Sequence, residues 1–266
     1  FPAAALIFRQ GLVQEGKPVV VEHRSLRNMW ERTMPIIAEE AGWDPNRDKE
    51  NIPLNSAVKT TIDPLAFWVG PVRVVYGGDP AKSTAIDMKK YIDRDKKLVR
   101  SVTGELALNY GTGCYLINAP KAQAALGFLQ EAGIQQTADV TFDCKNKYAS
   151  IVVVPLDDKA IKVSGKVLVQ VGTISRPTGW KAIPEPFGPE GKVSEDNNRI
   201  LSIGKTPYQI EKTNATVTIA NKALKKAVAL DVNGMPLATP VTMESVRNGV
   251  KVTLPPDVLY VVLTAE

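Results

Sequence analysis

Val241-Thr-Met-Glu-Ser-Val-Arg-Asn-Gly-Val-Lys-Val-Thr-Leu254 decides how this chain reads. Two strand-like runs, Val241–Ser245 and Gly249–Leu254, flank Arg247-Asn-Gly249. Asn-Gly between such runs is the strongest short-range hairpin signal, because both residues accept a positive φ. Working outward, Asp231-Val-Asn-Gly234 repeats the signal after Ala227–Val232, and further runs fall at Tyr208–Glu211, Ala215–Ala220 and Leu259–Leu263. Many short strands with such turns predict an antiparallel sandwich, not a parallel sheet with crossover helices.

Upstream the texture is the same. Strands are expected at Leu98–Leu108, Cys114–Asn118, Val140–Cys144, Ser150–Pro155, Lys162–Thr173 and Thr178–Ile183, with a helical turn in Lys121–Gly133. Ala66–Val69 and Val72–Tyr76 are β-branched and aromatic, and Gly77-Gly-Asp-Pro80 breaks them. Helical character is confined to residues 1–60: Ser25 suits an N-cap, and Leu26, Met29, Trp30, Met34 and Ile37 recur at helical spacing until Pro35 interrupts the run. The expectation is a mainly β chain, an antiparallel β-sandwich with a short helical segment near the N-terminus. Residues 1–100 read as a helix-containing segment and 101–266 as the sandwich, with 184–200 a long surface loop or linker.

The chain has 266 residues, 44% hydrophobic and 23% charged, with a net charge of +5. That is ample for a core and excludes disorder. The lysines are scattered among acids, with no basic stripe interleaved with stacking aromatics, so nucleic acid is not an expected partner. No apolar run reaches the ~20 residues of a membrane helix. The opening Phe1-Pro-Ala-Ala-Ala-Leu-Ile-Phe8 lacks the charged region of a signal peptide and reads as a cut within a longer polypeptide. Cys114 and Cys144 both fall in strand-like stretches, and either a disulfide or two separate buried thiols fits them. With His23 the single histidine, zinc is not expected. Asp44, Asn46, Asp48 and Glu50 alternate oxygen ligands in a turn and form the candidate site for a structural calcium ion; Lys49 and Asn55 stand where an EF-hand needs Gly and Glu. No other cofactor is expected. Asn214-Ala-Thr216 is a glycosylation sequon.

Several blocks carry a resemblance: Phe1–Arg9, Asp63-Pro-Leu-Ala-Phe-Trp-Val-Gly-Pro71, Ser101-Val-Thr-Gly-Glu105, Asn118-Ala-Pro-Lys-Ala-Gln123 with Gly127-Phe128, Leu156–Ser164 with Leu168, and Ala229-Leu-Asp-Val-Asn-Gly234. In order and spacing the chain resembles the C-terminal β-rich region of multidomain glycoside hydrolases built on a (β/α)₈ barrel, from bacteria that degrade polysaccharide. The resemblance implies a secreted or periplasmic setting, a polysaccharide as substrate of the whole enzyme, and the catalytic barrel of the same or parent polypeptide as a packing partner. The catalytic glutamates of such enzymes lie on barrel strands that precede these blocks, so none maps here. The blocks themselves look structural: Thr103-Gly104 and Pro120 suit turns, and Gln123 and Ser164 suit hydrogen bonds to backbone where strands end.

Glycoside hydrolysis needs two carboxylates facing each other across a sugar. Glu39-Glu40, Asp157-Asp158 and Glu195-Asp196 are sequence neighbours, which on a strand point to opposite faces. Asp157-Asp158 reads instead as a hairpin turn. Glu22, Asp63 and Glu105 are the dispersed candidates for a catalytic pair. Sugar rings stack on exposed aromatics. Trp180, after the turn Arg176-Pro-Thr-Gly179, is the leading candidate for such a platform, followed by Trp43 and Tyr110 beside turns; Trp30 and Trp68 are expected in the core. Three readings follow: a non-catalytic accessory β-sandwich of a glycoside hydrolase, a stand-alone carbohydrate-binding module, and a glycosidase with a carboxylate pair assembled from distant sequence.

Overall fold

The computed structural model describes residues 2–38, 60–185 and 197–266. Its strands are β1 (Val20–Arg24), β2 (Val72–Tyr76), β3 (Thr84–Ala85), β4 (Ile92–Asp93), β5 (Leu98–Arg100), β6 (Leu106–Asn109), β7 (Cys114–Ala119), β8 (Ala122–Gly127), β9 (Gln135–Gln136), β10 (Val140–Cys144) and β11 (Ala149–Pro155). They continue as β12 (Lys166–Thr173), β13 (Ser175–Thr178), β14 (Lys181–Pro184), β15 (Asn198–Ser202), β16 (Lys205–Ile210), β17 (Ala215–Ile219), β18 (Lys226–Leu230), β19 (Thr242–Val246), β20 (Gly249–Thr253) and β21 (Tyr260–Thr264). Among the described residues four short α-helices accompany them: α1 (Pro2–Gln10), α2 (Leu26–Trp30), α3 (Ala66–Val69) and α4 (Leu129–Ala132).

Two sheets make the sandwich. One has nine strands in the order β18-β21-β12-β11-β8-β7-β6-β5-β4, the other five in the order β19-β20-β17-β10-β9. β10 and β17 alternate buried and half-buried residues, as strands with one face on a core must. Phe142, Val217, Ile219 and Val252 of the small sheet meet Ile151, Val153, Val169 and Leu263 of the large one in a single cluster. β11 is buried along almost its whole length because the large sheet is covered on its other face too. There Val152, Val154 and Leu168 pack with Ala3 and Leu12, joined by Leu6 and Ile7 of α1. Pro2 opens α1 at the position where a missing N–H costs nothing. Gly11, at φ 59°, closes it, and the Leu12 N–H reaches back to the Ile7 carbonyl at 3.1 Å. Gln170 Oε1 accepts the Ala3 N–H at 3.0 Å and anchors the helix start to β12.

A third sheet, β2-β1-β3, lies N-terminal and contains a parallel pair, Val20 opposite Val72. Its core of Val19, Val20, Ala66 and Val69 includes Val99 of β5. β4 and β5 precede residue 101 yet extend the large sheet, so that sheet crosses the boundary drawn from sequence. The remaining strands form a ribbon: β13 pairs with β16 and β14 with β15, kinked where the register shifts at Pro177/Thr178 and Lys181/Ala182. The kink needs glycine, since a Cβ on Gly204 would sit 2.5 Å from the Thr178 carbonyl oxygen.

Several local expectations need correction. Ala66–Val69 is one helical turn, not a strand, because the Asp63 carboxylate takes the Leu65 N–H at 2.9 Å and starts a turn that Gly70 ends. Ala122–Gly127 is strand β8, leaving only Leu129–Ala132 helical before Gly133. Thr178–Ile183 is broken at Gly179 (φ 81°) into β13 and β14. Ser25 caps α2 as expected, in a reciprocal capping box with Asn28, but the helix stops at Trp30.

Candidate functional site

Two of the blocks quoted above, 63–71 and 101–105, converge in space. Asp63 starts α3, pairs with Arg94, and delivers Phe67 and Trp68 on a single helical turn. The turn at 101–106 is held by its own hydroxyls: Ser101 Oγ and Thr103 Oγ1 lie 2.9 Å apart, and Ser101 Oγ accepts the Leu106 N–H at 3.1 Å. Val102 joins the two blocks by donating its N–H to the Val69 carbonyl at 2.7 Å. Gly16 and Gly70 make room for it: a Cβ would lie 2.5 Å from Val102 Cγ2 at Gly16 and 3.3 Å at Gly70. Glu105 ties in the segment after α1, its carboxylate accepting the Gln14 N–H at 2.6 Å.

Between these elements opens a cleft of about 440 Å³. Phe67, Trp68 and Tyr115 are its aromatic wall, and Gln14, Glu15 and Thr103 its principal polar contributors. Trp68 is 49% exposed. Its ring centroid is 5.8 Å from that of Tyr115, with the planes tilted by 56°. Burial pushes the Tyr115 phenol up, so it stays protonated and can donate a hydrogen bond. No lining residue is cationic. The titratable groups of the lining are the Glu15 carboxylate and the Tyr115 phenol.

Trp180 is half-buried on the ribbon, with the Arg176 guanidinium 5.2 Å from its ring centroid. Tyr110 lines a different, more polar cleft of about 800 Å³ with Gly111, Thr112, Phe128, Glu131 and Lys147. Pro184 and Asn198 of the ribbon also line that cleft, but Trp180 does not. Trp43, Asp44, Asn46 and Asp48 lie outside the described residues, as do Glu39-Glu40 and Glu195-Asp196. Among the described residues no group of three or more His, Cys, Asp or Glu side chains is placed to hold a metal.

Trp30 and Trp68 overturn the expectation of burial. Trp30 is 90% exposed beside Leu26 at 73%, so the α2 part of the stripe faces away from the described core, whereas Ile37 is buried in it. An apolar four-residue run reads as core, but as one helical turn Ala66–Val69 buries Ala66 and Val69 and leaves Phe67 and Trp68 outward.

Cys114 and Cys144 are free thiols. They sit on β7 and β10 of the facing sheets, and each fills the core as a small hydrophobe.

The dispersed carboxylates are each occupied separately. Glu22 is buried on β1 and paired with Arg24 at 3.0 Å, Asp63 is paired with Arg94, and Glu105 holds the Gln14 backbone. Asp157 is a loop anchor between β11 and β12, taking hydrogen bonds from Ser164 Oγ and the Gly165 N–H at 2.7 Å each, while Asp158 meets Lys121. The hairpin expected there is present, with a ten-residue excursion from Leu156 to Gly165 in place of a tight turn. His23 lies on β1, its ring against Gly78, where a Cβ would come within 2.5 Å of Nδ1.

No protein-family model, curated protein or solved structure matches this chain.

Proposed function

We propose that this chain is a non-catalytic accessory β-sandwich region of a secreted glycoside hydrolase, packing against a catalytic (β/α)₈ barrel and supporting polysaccharide degradation. The observation that carries the reading is the ribbon β13–β16. Ile200, Leu201, Ile203, Tyr208 and Ile210 are all exposed on it, at 48–71%. Exposed apolar side chains concentrated on one ribbon suit a surface that another body covers, and a barrel joined to the sandwich would be such a body. The resemblance in block order agrees with it. So does the occupation of Glu22, Asp63, Glu105 and Asp157 by separate structural partners.

The test is hydrolysis by the pure chain on soluble polysaccharides, read as new reducing ends. No release is expected. Release abolished by a single carboxylate-to-amide change, such as Glu105→Gln, overturns the reading in favour of an enzyme.

The aromatic cleft favours a second reading, a carbohydrate-binding module. Both readings place the chain in contact with polysaccharide, and they differ in whether it binds without a barrel.

A further inference from the structure

We infer that the Trp68 cleft is a binding subsite for one uncharged pyranose ring of a polysaccharide; this rests on the carbohydrate-linked reading above. A pyranose has a flat face of C–H bonds and a rim of hydroxyls. The cleft has the complementary arrangement: Trp68 is half exposed at it, Tyr115 stands beside it at 5.8 Å, and Phe67 extends the apolar wall. At the rim, the Gln14 amide and the Glu15 carboxylate make no side-chain hydrogen bond or ion pair to other described residues. They are therefore free to take hydroxyl protons and, from the amide, to donate to hydroxyl oxygens.

Size and charge narrow the ligand. A volume of about 440 Å³ lies toward the low end of small-molecule sites, roughly 300–1,000 Å³, and suits a ring or two, not a folded partner. The Glu15 carboxylate is the single charged group of the lining, with no cation opposite it. A uronate or sulfated sugar would meet like charge without a partner, whereas a neutral ring meets none. The wall is also built to stay in place. Val102 is clasped between Gly16 and Gly70, and Asp63 holds the start of α3.

The experiment titrates the full 266-residue chain with cellohexaose, mannohexaose, xylohexaose and laminarihexaose, following heat and tryptophan emission, with tri-galacturonate as the charged probe. At least one neutral hexaose is expected to bind with a Kd on the order of 1 mM. Trp68→Ala should weaken it about tenfold, Trp68→Phe should retain it, and Trp180→Ala should leave it unchanged. Trp68 is half exposed, so near-ultraviolet circular dichroism should confirm that both Trp68 variants keep the fold. The inference is overturned if no neutral hexaose binds, if Trp180→Ala and not Trp68→Ala removes binding, or if tri-galacturonate binds more tightly than every neutral probe. Each of those outcomes leaves the accessory reading standing, because that reading needs no binding by the chain without a barrel.

Discussion

Gln123 and Asp139 hold each other reciprocally: the Gln123 amide donates to Asp139 Oδ2 at 2.9 Å, and its carbonyl oxygen accepts the Asp139 N–H at 2.9 Å. The same carbonyl takes the Thr137 hydroxyl at 2.6 Å. Gln123 is fully buried on β8, so the large sheet fastens the turn that starts β10 of the small one. Gln123→Leu keeps the volume and removes the partner of both Asp139 groups, while the Thr137 hydroxyl keeps the Val140 carbonyl at 2.9 Å. A loss of about 2–4 kcal/mol is expected, measured as a shift of the urea midpoint at unchanged slope.

Asp157 makes acid stability partly a property of one loop. Partial burial alone would raise its carboxyl; hydrogen bonds from Ser164, Gly165 and Lys159 outweigh this and hold it below its ordinary value of 3.8. A folded pKa lowered in this way contributes stability that is present above the unfolded pKa and lost as pH falls through the folded one. Asp157→Asn is expected to cost about 1–2 kcal/mol at neutral pH. The difference in Tm between variant and parent should then shrink as pH drops below about 4.

The two thiols should be silent until the sandwich opens. Burial pushes both Cys114 and Cys144 up, and a thiolate is the reacting form. Ellman's reagent at neutral pH is expected to find no accessible thiol in the native chain and both in guanidinium chloride. A count of zero after denaturation without reductant would mean a disulfide.

Gly249 is irreplaceable for a reason unrelated to its turn. A Cβ there would lie 1.9 Å from the Ile219 carbonyl oxygen and 2.7 Å from the Asn221 nitrogen. Gly249→Ala must push β20 away from β17, the central pair of the small sheet, and a loss above about 3 kcal/mol is expected by thermal unfolding.

That glycine also shows how much was legible beforehand. The Val241–Leu254 hairpin forms, with Val246 opposite Gly249 and Arg247-Asn248 as its two-residue loop. Asn-Gly pointed to the right place, although Gly249 is needed for close packing and only Asn248 sits in the loop. At Asn233-Gly234 the turn does have Gly234 at φ 84°, but the return is a single bridge from Leu230 to Pro236. Strand positions were readable because alternation is local. The helix at Ala66–Val69 was not, because its cause lies in Asp63 and Gly70 flanking a run that composition alone assigns to a strand. The cleft was hidden for a third reason. Trp68 and Tyr115 are 47 positions apart in the sequence, and nothing short of the paired sheets brings their rings to 5.8 Å. Trp30 failed differently, since a helical apolar stripe reads the same whether its cover lies inside the described core or elsewhere.

The central claim, a sandwich that serves a separate catalytic barrel, is tested most directly by sequencing the gene upstream of the codon for Phe1. The account predicts an open reading frame that continues into alternating strand and helix patterns of a (β/α)₈ barrel with two glutamates at strand ends. A start codon or signal peptide immediately upstream, with no barrel in the same frame, would contradict it.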